Sequence, residues 1–516
     1  MRPEATADLP ATSAQQRYRA AMDAAEHTRA HPPSRLTTRA DAAPTTTGGR
    51  SWWLDTSILA VAAVLLRLPM LLADRALVFD DGVFGSSALA MRSGELPFRD
   101  VFSSQGPLFL PLVFVADLLG LRSADAPRLL TVASGVVLTI AAYACGRRLT
   151  ARGGALLAAG LVTTSGSVLW VTGPVNADGP ALALSVVAVA VALRYRDDPR
   201  LVDAMLVGLA GGAALSIKLL AVPAVVVAGI VVLLTGRRVL HVLAAAAVAI
   251  AVYAASALPW GVDRVWEQSY EYHRDAVRQG SLGDAFVKVL RTLWERDLAV
   301  VVALALAGVV WSLVRTAVVT RAARRTPHPL APEAAGAAVW AVLVLALLLW
   351  EPALWRAHVA HLVVPLALLA ALRPPPWRVL AAAALVVVPV SVIERGDVLT
   401  PDGLHGHEAA VVTRLSSLPD GAFVLTDDPG LAWRADRRIP GGFVDPSFQR
   451  IDNGDISERS LVAAAAHADV CAVVVTSPQH FGRFDGLAER LASAGYAPER
   501  FGPRITLYAR PGCDPP

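Results

Sequence analysis

The chain has 516 residues, 54% hydrophobic and 17% charged, with a net charge of +4 and a mean hydropathy of +0.49. Soluble domains carry about 25% charged residues, so these values exclude an ordinary soluble enzyme and point to a membrane-embedded body, with no basic footprint for nucleic acid. The three cysteines, Cys145, Cys471 and Cys513, have no metal-ligand spacing and build no disulfide framework, although Cys471 and Cys513 could bridge.

Residues 1–51 are rich in Ala, Thr, Arg, Pro and Gly without a sustained apolar period, which predicts a disordered cytoplasmic tail. They are too polar for a secretory signal peptide. Trp52 and Trp53 stand where an interfacial aromatic belt would, and residues 54–73 form the first predicted span. Further spans are predicted at 125–145, 154–173, 180–196, 201–217, 219–235, 239–258, 298–315, 334–350, 358–372 and 377–393. Arginine clusters recur after every second span, at Arg147-Arg148-Arg152, Arg194-Arg196-Arg200, Arg237-Arg238, Arg315 to Arg325, and Arg373 with Arg378. Basic loops stay on the cytoplasmic side. Residues 107–121 are apolar but short of the roughly 20 needed to cross. Counting them as a span would reverse the later arginine loops, so they are placed as a juxtamembrane or re-entrant helix. About eleven spans then put the N-terminus inside and the C-terminus outside a bacterial plasma membrane.

With this topology the outer face gathers most of the polar side chains. It receives the loop 79–107, FDDGVFGSSALAMRSGELPFRDVFSSQGP, with its adjacent carboxylates Asp80 and Asp81, an amphipathic turn and helix over 86–94, and the Arg99-Asp100 pair. It also receives the Asn176-Ala177-Asp178-Gly179-Pro180 turn, Lys218, the segment 260–296, and the Glu351…His358…His361 helix entrance. Lys218 and Lys288 are the only lysines. Residues 397–516 alternate short β-branched runs (422–426, 470–476, 504–509) with helical periodicity (457–468, 484–494), which predicts a small α/β domain outside the membrane. Neither G-x-G-x-x-G nor G-x-x-x-x-G-K-[ST] occurs, so no nucleotide site is indicated.

Each of these residues also has a plain structural reading. Asp80 and Asp81 suit a helix N-terminus, Asp178 suits a turn before a proline-started span, and Lys218 could snorkel to the interface. Arg99-Asp100 could be an ion pair steadying its loop. His358 and His361 share one helical face, as a substrate contact or a ligand pair would. Tyr270, Tyr272 and His273 lie in an amphipathic, interfacial stretch.

The run Asp80-Asp81, Ala88-Leu89-Ala90-Met91, Gly94, Leu96-Pro97-Phe98-Arg99-Asp100, Gly106-Pro107-Leu108 resembles the first outer loop of GT-C glycosyltransferases. These polytopic enzymes are related to protein O-mannosyltransferases and lipid A aminoarabinose transferases. The Gly120…Arg128 spacing and the Asp178 turn also fit, and the likeness covers residues 54 to about 220 well. Two departures are Asp81, where Glu is commoner, and Gln105, where a basic residue is frequent. The resemblance implies a polytopic α-helical membrane protein with a catalytic body over 52–396, an outer loop with juxtamembrane helices over 74–124, and an extracytoplasmic α/β domain over 397–516. It implies a polyprenyl-phosphate-sugar donor, an extracytoplasmic glycan, lipid or protein acceptor, and inversion at the anomeric carbon.

Such a transfer needs a base for the acceptor hydroxyl and charge stabilisation of the departing phosphate. Asp80 is the expected base and Asp81 its support or a ligand for a divalent cation such as Mg or Mn, with Asp178 as the other metal candidate. Asp178, Lys218, Arg99, Asp100, Gln105, His358 and His361 are the expected substrate-binding residues. A transporter or flippase is the rival class, but no repeated halves are visible and the spans are nearly free of internal charge. A catalytically inactive scaffold with a binding tail is a third reading, opposed only by Asp80, Asp81 and Asp178.

Overall fold

The computed structural model describes residues 47–72, 79–123, 125–236, 238–276, 278, 280–321, 332–394, 396 and 406–513. The expected disordered tail lies outside these residues up to residue 46, whereas residues 47–51 belong to the Thr47–Leu71 helix. The chain divides into two compact units, Met1–Leu54 and Asp55–Pro516. All that follows concerns the second.

Every expected span coincides with apolar helix. Ser51–Leu71, Ala126–Leu149, Asp178–Asp197, Val239–Trp260 and Glu333–Trp350 are long and apolar enough to cross a membrane, and Arg152–Thr164 with Gly166–Thr172 makes a sixth if this pair, bent by 60°, counts as one span. The other expected spans, Leu201–Ile217, Leu219–Thr235, Leu298–Ser312, Arg356–Leu372 and Trp377–Ile393, are apolar but shorter. The ambiguous segment forms the 11-residue helix Phe109–Leu119, about 16 Å long and too short to cross.

The tail carries a four-stranded sheet of order β1-β2-β4-β3, with β1 Phe423–Thr426, β2 Val470–Val475, β3 Ala497–Phe501 and β4 Ile505–Ala509. β1 and β2 run parallel, and the β2–β4 and β3–β4 pairs are antiparallel. Along β2, Ala472 and Val474 pack with Val411 and Leu415 on one face while Val473 packs with Leu461, Phe481 and Leu491 on the other. A strand buried on both faces reads as a continuous apolar run. β3 escapes sequence reading because Ala-Pro-Glu-Arg-Phe neither alternates nor buries a face, as suits an edge strand bearing proline. Helices are observed at Glu458–Ala465 and Leu487–Ser493, shorter than the periodicity predicts. Cys471 and Cys513 are bonded, with Cα atoms 5.6 Å apart.

The acidic loop is more ordered than expected. A helix runs over Phe79–Arg92 with Asp80 and Asp81 in its first turn, seven residues ahead of the predicted start, where carboxylates favour the helix dipole. It packs directly on the tail's Pro429–Arg434 helix. A Cβ on Gly82 would lie 2.4 Å from the Gly430 nitrogen, and one on Gly85 would lie 2.3 Å from the Trp433 ring. Ser86 Oγ donates to Pro429 O at 3.0 Å. Tail and acidic helix are therefore one packed assembly. Gly85→Ala is expected to cost about 1–3 kcal/mol by overpacking, read as a lowered unfolding temperature. Gly153→Ala, whose Cβ would meet nothing within 4 Å, is the control and should not lower it. Equal unfolding temperatures for the two variants would show that this contact is loose.

Candidate active site

Adjacent residues on a helix point about 100° apart, and Asp80 and Asp81 part accordingly. Asp81 is fully buried. It pairs with Arg128, which is itself fully buried, and accepts from Val175 N at 2.7 Å. Arg128 also donates to Met70 O at 2.8 Å and Asp125 Oδ1 at 3.0 Å, and lies over the Trp433 ring. Asp81 thus ties the acidic helix to the Val175 turn and to the Leu129–Leu149 helix entrance.

Asp80 remains exposed while residues 81–90 are buried. It accepts from Asn176 Nδ2 at 3.2 Å. The charges of Lys218, Asp445 and Asp178 act on it, so it is open at its surface yet enclosed by protein. Loss of hydration pushes its carboxyl up to about 6; Asp445 and Asp178 add to this, and Lys218 opposes it. A carboxylate so poised suits a general base near neutral pH.

Asn176 links the two acidic elements. Its Oδ1 accepts from Asp178 N at 2.8 Å, an Asx turn that starts the Asp178–Asp197 helix. Asp178 is buried and meets Lys218 Nζ at 2.8 Å and His361 Nε2 at 3.3 Å. Lys218 Nζ also lies 3.2 Å from His358 Nε2, and His358 Nδ1 lies 2.7 Å from Glu351 Oε2. An ammonium only donates, so Nε2 of His358 accepts and the proton sits on Nδ1, directed to Glu351. Lys218 ends the Leu201–Ile217 helix in extended backbone. The Gly106-Pro107 turn docks on that helix end, with Gly106 N donating to Ile217 O at 2.9 Å and Leu108 N to Ser216 O at 2.9 Å. A Cβ on Gly106 would lie 2.3 Å from Ser216 O, so only glycine allows the approach.

Gln105 follows from that docking. Its Nε2 donates to Ser104 Oγ at 3.1 Å, and its Oε1 is buried without a hydrogen-bond partner among the described residues. His273 Nε2 donates to Ser104 O at 2.8 Å; burial and the Lys218 charge push its imidazole down to about 4, so it holds the loop as a neutral ring. Tyr272 Oη lies 3.1 Å from Ser447 Oγ, whereas Tyr270 stacks on Trp266. Arg99 and Asp100 stand apart from the polar cluster. Arg99 is 63% exposed and pairs only at 3.6 Å with Asp100, whose Oδ2 accepts from Leu96 N to close a turn. Their geometry is that of a loop-steadying pair.

The structure therefore joins Asp80, Asp178, Lys218, His358 and His361 in one hydrogen-bonded and electrostatic cluster. It adds Asn176, Glu351 and Asp445, which sequence reading did not assign as site residues. Asn176 and Glu351 have a signal in hindsight, being polar residues at the ends of apolar helices; Asp445 has none, since it comes from the C-terminal tail. As metal ligands the candidates fit poorly. Asp81 is committed to Arg128 and Asp178 to Lys218, and among the described residues no group of three His, Cys, Asp or Glu side chains could hold an ion. The positive charge of this site is Lys218.

Residues 108–260 match the family described as dolichyl-phosphate-mannose-protein mannosyltransferase. In fold the chain is similar to ArnT from Cupriavidus metallidurans bound to undecaprenyl phosphate, with a TM-score of 0.61 over 90% of this chain and 99% of that one at 14% identity. The apo state of that protein gives 0.58 over 89% and 98%, also at 14% identity. The Archaeoglobus fulgidus oligosaccharyltransferase tethered with an acceptor peptide gives 0.52 over 90% and 74% at 12% identity. No curated protein sequence matches the chain. The fold is the GT-C fold that the motifs of residues 79–108 resemble.

Proposed function

We propose, from this shared fold and this arrangement of charges, that the chain is a membrane glycosyltransferase. It moves a sugar from a polyprenyl-phosphate donor to an extracytoplasmic acceptor in a single inverting displacement. The observation that carries the reading is an open carboxylate, Asp80, within electrostatic reach of a half-buried cation, Lys218, where apolar helices end.

The acceptor hydroxyl oxygen attacks the anomeric carbon and its proton passes to Asp80. The bond from that carbon to the phosphate oxygen breaks, and its electron pair leaves on the polyprenyl phosphate. Lys218 stabilises the leaving group. Of its three ammonium protons, one faces Asp178 Oδ2 and one faces His358 Nε2, which leaves the third for a phosphate oxygen. Asp178, His361 and the His358–Glu351 pair hold the ammonium in place. An ion pair with one half-buried partner is a weak source of stability, which favours a binding role for this one. The unpartnered Oε1 of Gln105 is an acceptor for a sugar hydroxyl.

In this reading eleven spans place the N-terminus in the cytoplasm and the tail outside. The Cys471–Cys513 disulfide supports that side, since such bonds persist in oxidising compartments. A cysteine label at Ser457 should react with an impermeant reagent from outside and one at Ser34 should not; labelling of Ser457 only from the cytoplasmic side would break the topology.

The reaction itself is tested by incubating the purified full-length protein with a panel of polyprenyl-phosphate sugars and following release of polyprenyl phosphate. Lys218→Ala should weaken donor binding about tenfold or more and Lys218→Arg should keep part of it, because a point charge is the main requirement. Unchanged donor binding in Lys218→Ala would remove the phosphate role. Movement of intact lipid-linked sugar across sealed vesicles without bond cleavage would establish a transporter instead.

A further inference from the structure

Four aromatic rings run in an unbroken series from the base to the ammonium-holding histidine. Phe79, next to Asp80, lies 5.7 Å from the His480 ring. His480 lies parallel to Phe448 within 6°, with centroids 6.4 Å apart. Phe448 lies 5.6 Å from Trp355, just ahead of His358. The outer two rings come from the membrane body and the inner two from the tail. None is buried, and Trp355 is 43% exposed. Trp355 is exposed and the other three rings are half-buried, so each leaves part of its face open.

The polar groups along this arc complement the rings. Asp445, itself buried, lies three residues ahead of Phe448, and its charge reaches both Asp80 and His480. Its Oδ1 accepts from Ser447 N at 3.1 Å. Nδ1 of His480 is buried without a hydrogen-bond partner among the described residues. The loop is held rigid from both sides. Arg450 donates to Gly442 O at 2.8 Å and Asp445 O at 3.1 Å and stacks on Phe102 at 3.9 Å. Gln449 Nε2 donates to Tyr272 O at 2.7 Å. Val444 packs in the same cluster as Val83 and Phe79, which flank Asp80.

We propose that Phe79, His480, Phe448 and Trp355, with Asp445, form the acceptor subsite, and that the acceptor it takes is a saccharide. This rests on the glycosyltransferase reading and names the substrate class of that same site. Sugar rings present flat C–H faces that stack on aromatic rings, and vicinal hydroxyls that donate to a carboxylate; the arc supplies both. An extended peptide would need free backbone partners. The β1 edge already carries a bridge to Arg438, with Val424 N donating to Arg438 O at 2.8 Å. A saccharide seated on the arc would offer a hydroxyl to Asp80 at one end.

The test uses the full-length protein in lipid nanodiscs. Mannan-, arabinan- and galactan-derived oligosaccharides and a Ser/Thr-rich peptide are titrated separately, with saturation-transfer NMR reporting the contacts. At least one oligosaccharide is expected to bind. Trp355→Ala, on the membrane side, and Phe448→Ala, on the tail side, should each weaken it about tenfold, while Phe448→Trp stays within about threefold of wild type. Because Trp355 is exposed, its removal keeps the test informative if Phe448→Ala misfolds. Absence of binding by every oligosaccharide, binding indifferent to both alanine variants, or capture of the peptide alone overturns the proposal. Donor cleavage is measured apart, so a chain that cleaves no donor yet binds oligosaccharide through these rings sinks the glycosyltransferase reading and not the subsite.

Discussion

Asp80→Asn is expected to lose about 10²–10⁴ of the transfer rate while still binding donor and inserting in the membrane. Asparagine keeps the size of the side chain and can still meet Asn176, but it cannot take the acceptor's proton. The pH profile gives an independent check. A base acts when deprotonated, so the rate should climb as pH rises through about 6, where burial holds the Asp80 carboxyl, and then level off. At pH 5 about a tenth of the plateau should remain. The neighbouring charges predict the direction of two further shifts. Asp445 raises the Asp80 pKa and Lys218 lowers it, so Asp445→Asn should move the midpoint down and Lys218→Ala should move it up. An Asp80→Asn variant that keeps more than about a tenth of the rate would exclude Asp80 as the base. If Asp81→Asn then proved inactive without unfolding, the two carboxylates would exchange roles.

Arg128→Met should be the most destabilising single change near the site, at about 3–5 kcal/mol, because it leaves the Asp81 carboxylate buried and uncompensated. Both partners have fully buried side chains, and Arg128 reaches Met70 and Asp125 and lies over Trp433 as well. The loss would loosen the acidic helix from the body and from the tail together. The double variant Asp81→Asn/Arg128→Met removes both charges and should recover much of the stability, which a double-mutant cycle in thermal unfolding would read as a large coupling. A single-variant cost below about 1 kcal/mol, or additive effects in the cycle, would show that this pair does not anchor the helix.

Much of the polar cluster was legible because charge is expensive where most side chains are apolar. Asp178, Lys218, His358 and His361 each interrupt a hydrophobic stretch, so residue type and position alone mark them. Arg99 and Asp100 lie apart from the cluster, which their local sequence does not disclose. In a polar outer loop an ion pair that closes a turn has the same local sequence as one that binds a ligand. Gln105 stood out only as a departure from the resembled family's pattern, and the unpartnered oxygen that makes it interesting is a property of how the loop docks.

Hydrophobic periodicity and the cost of burying charge determined the apolar helices and the tail's two buried strands, because these follow from each residue's transfer between water and an apolar interior. Tertiary structure decided how two adjacent aspartates are placed. Their spacing ensures only that they point apart; that Arg128 and Val175 claim Asp81, and leave Asp80 open, depends on elements distant in sequence. The same holds for the tail. Nothing local distinguishes Val-Asp-Pro-Ser-Phe at 444–448 from any surface loop, yet in a fold where the Pro429–Arg434 helix packs against Gly82 and Gly85, the charge of Asp445 reaches Asp80. Electrostatic environment and ring alignment are sums over neighbours in space, and a linear order of residues does not contain them.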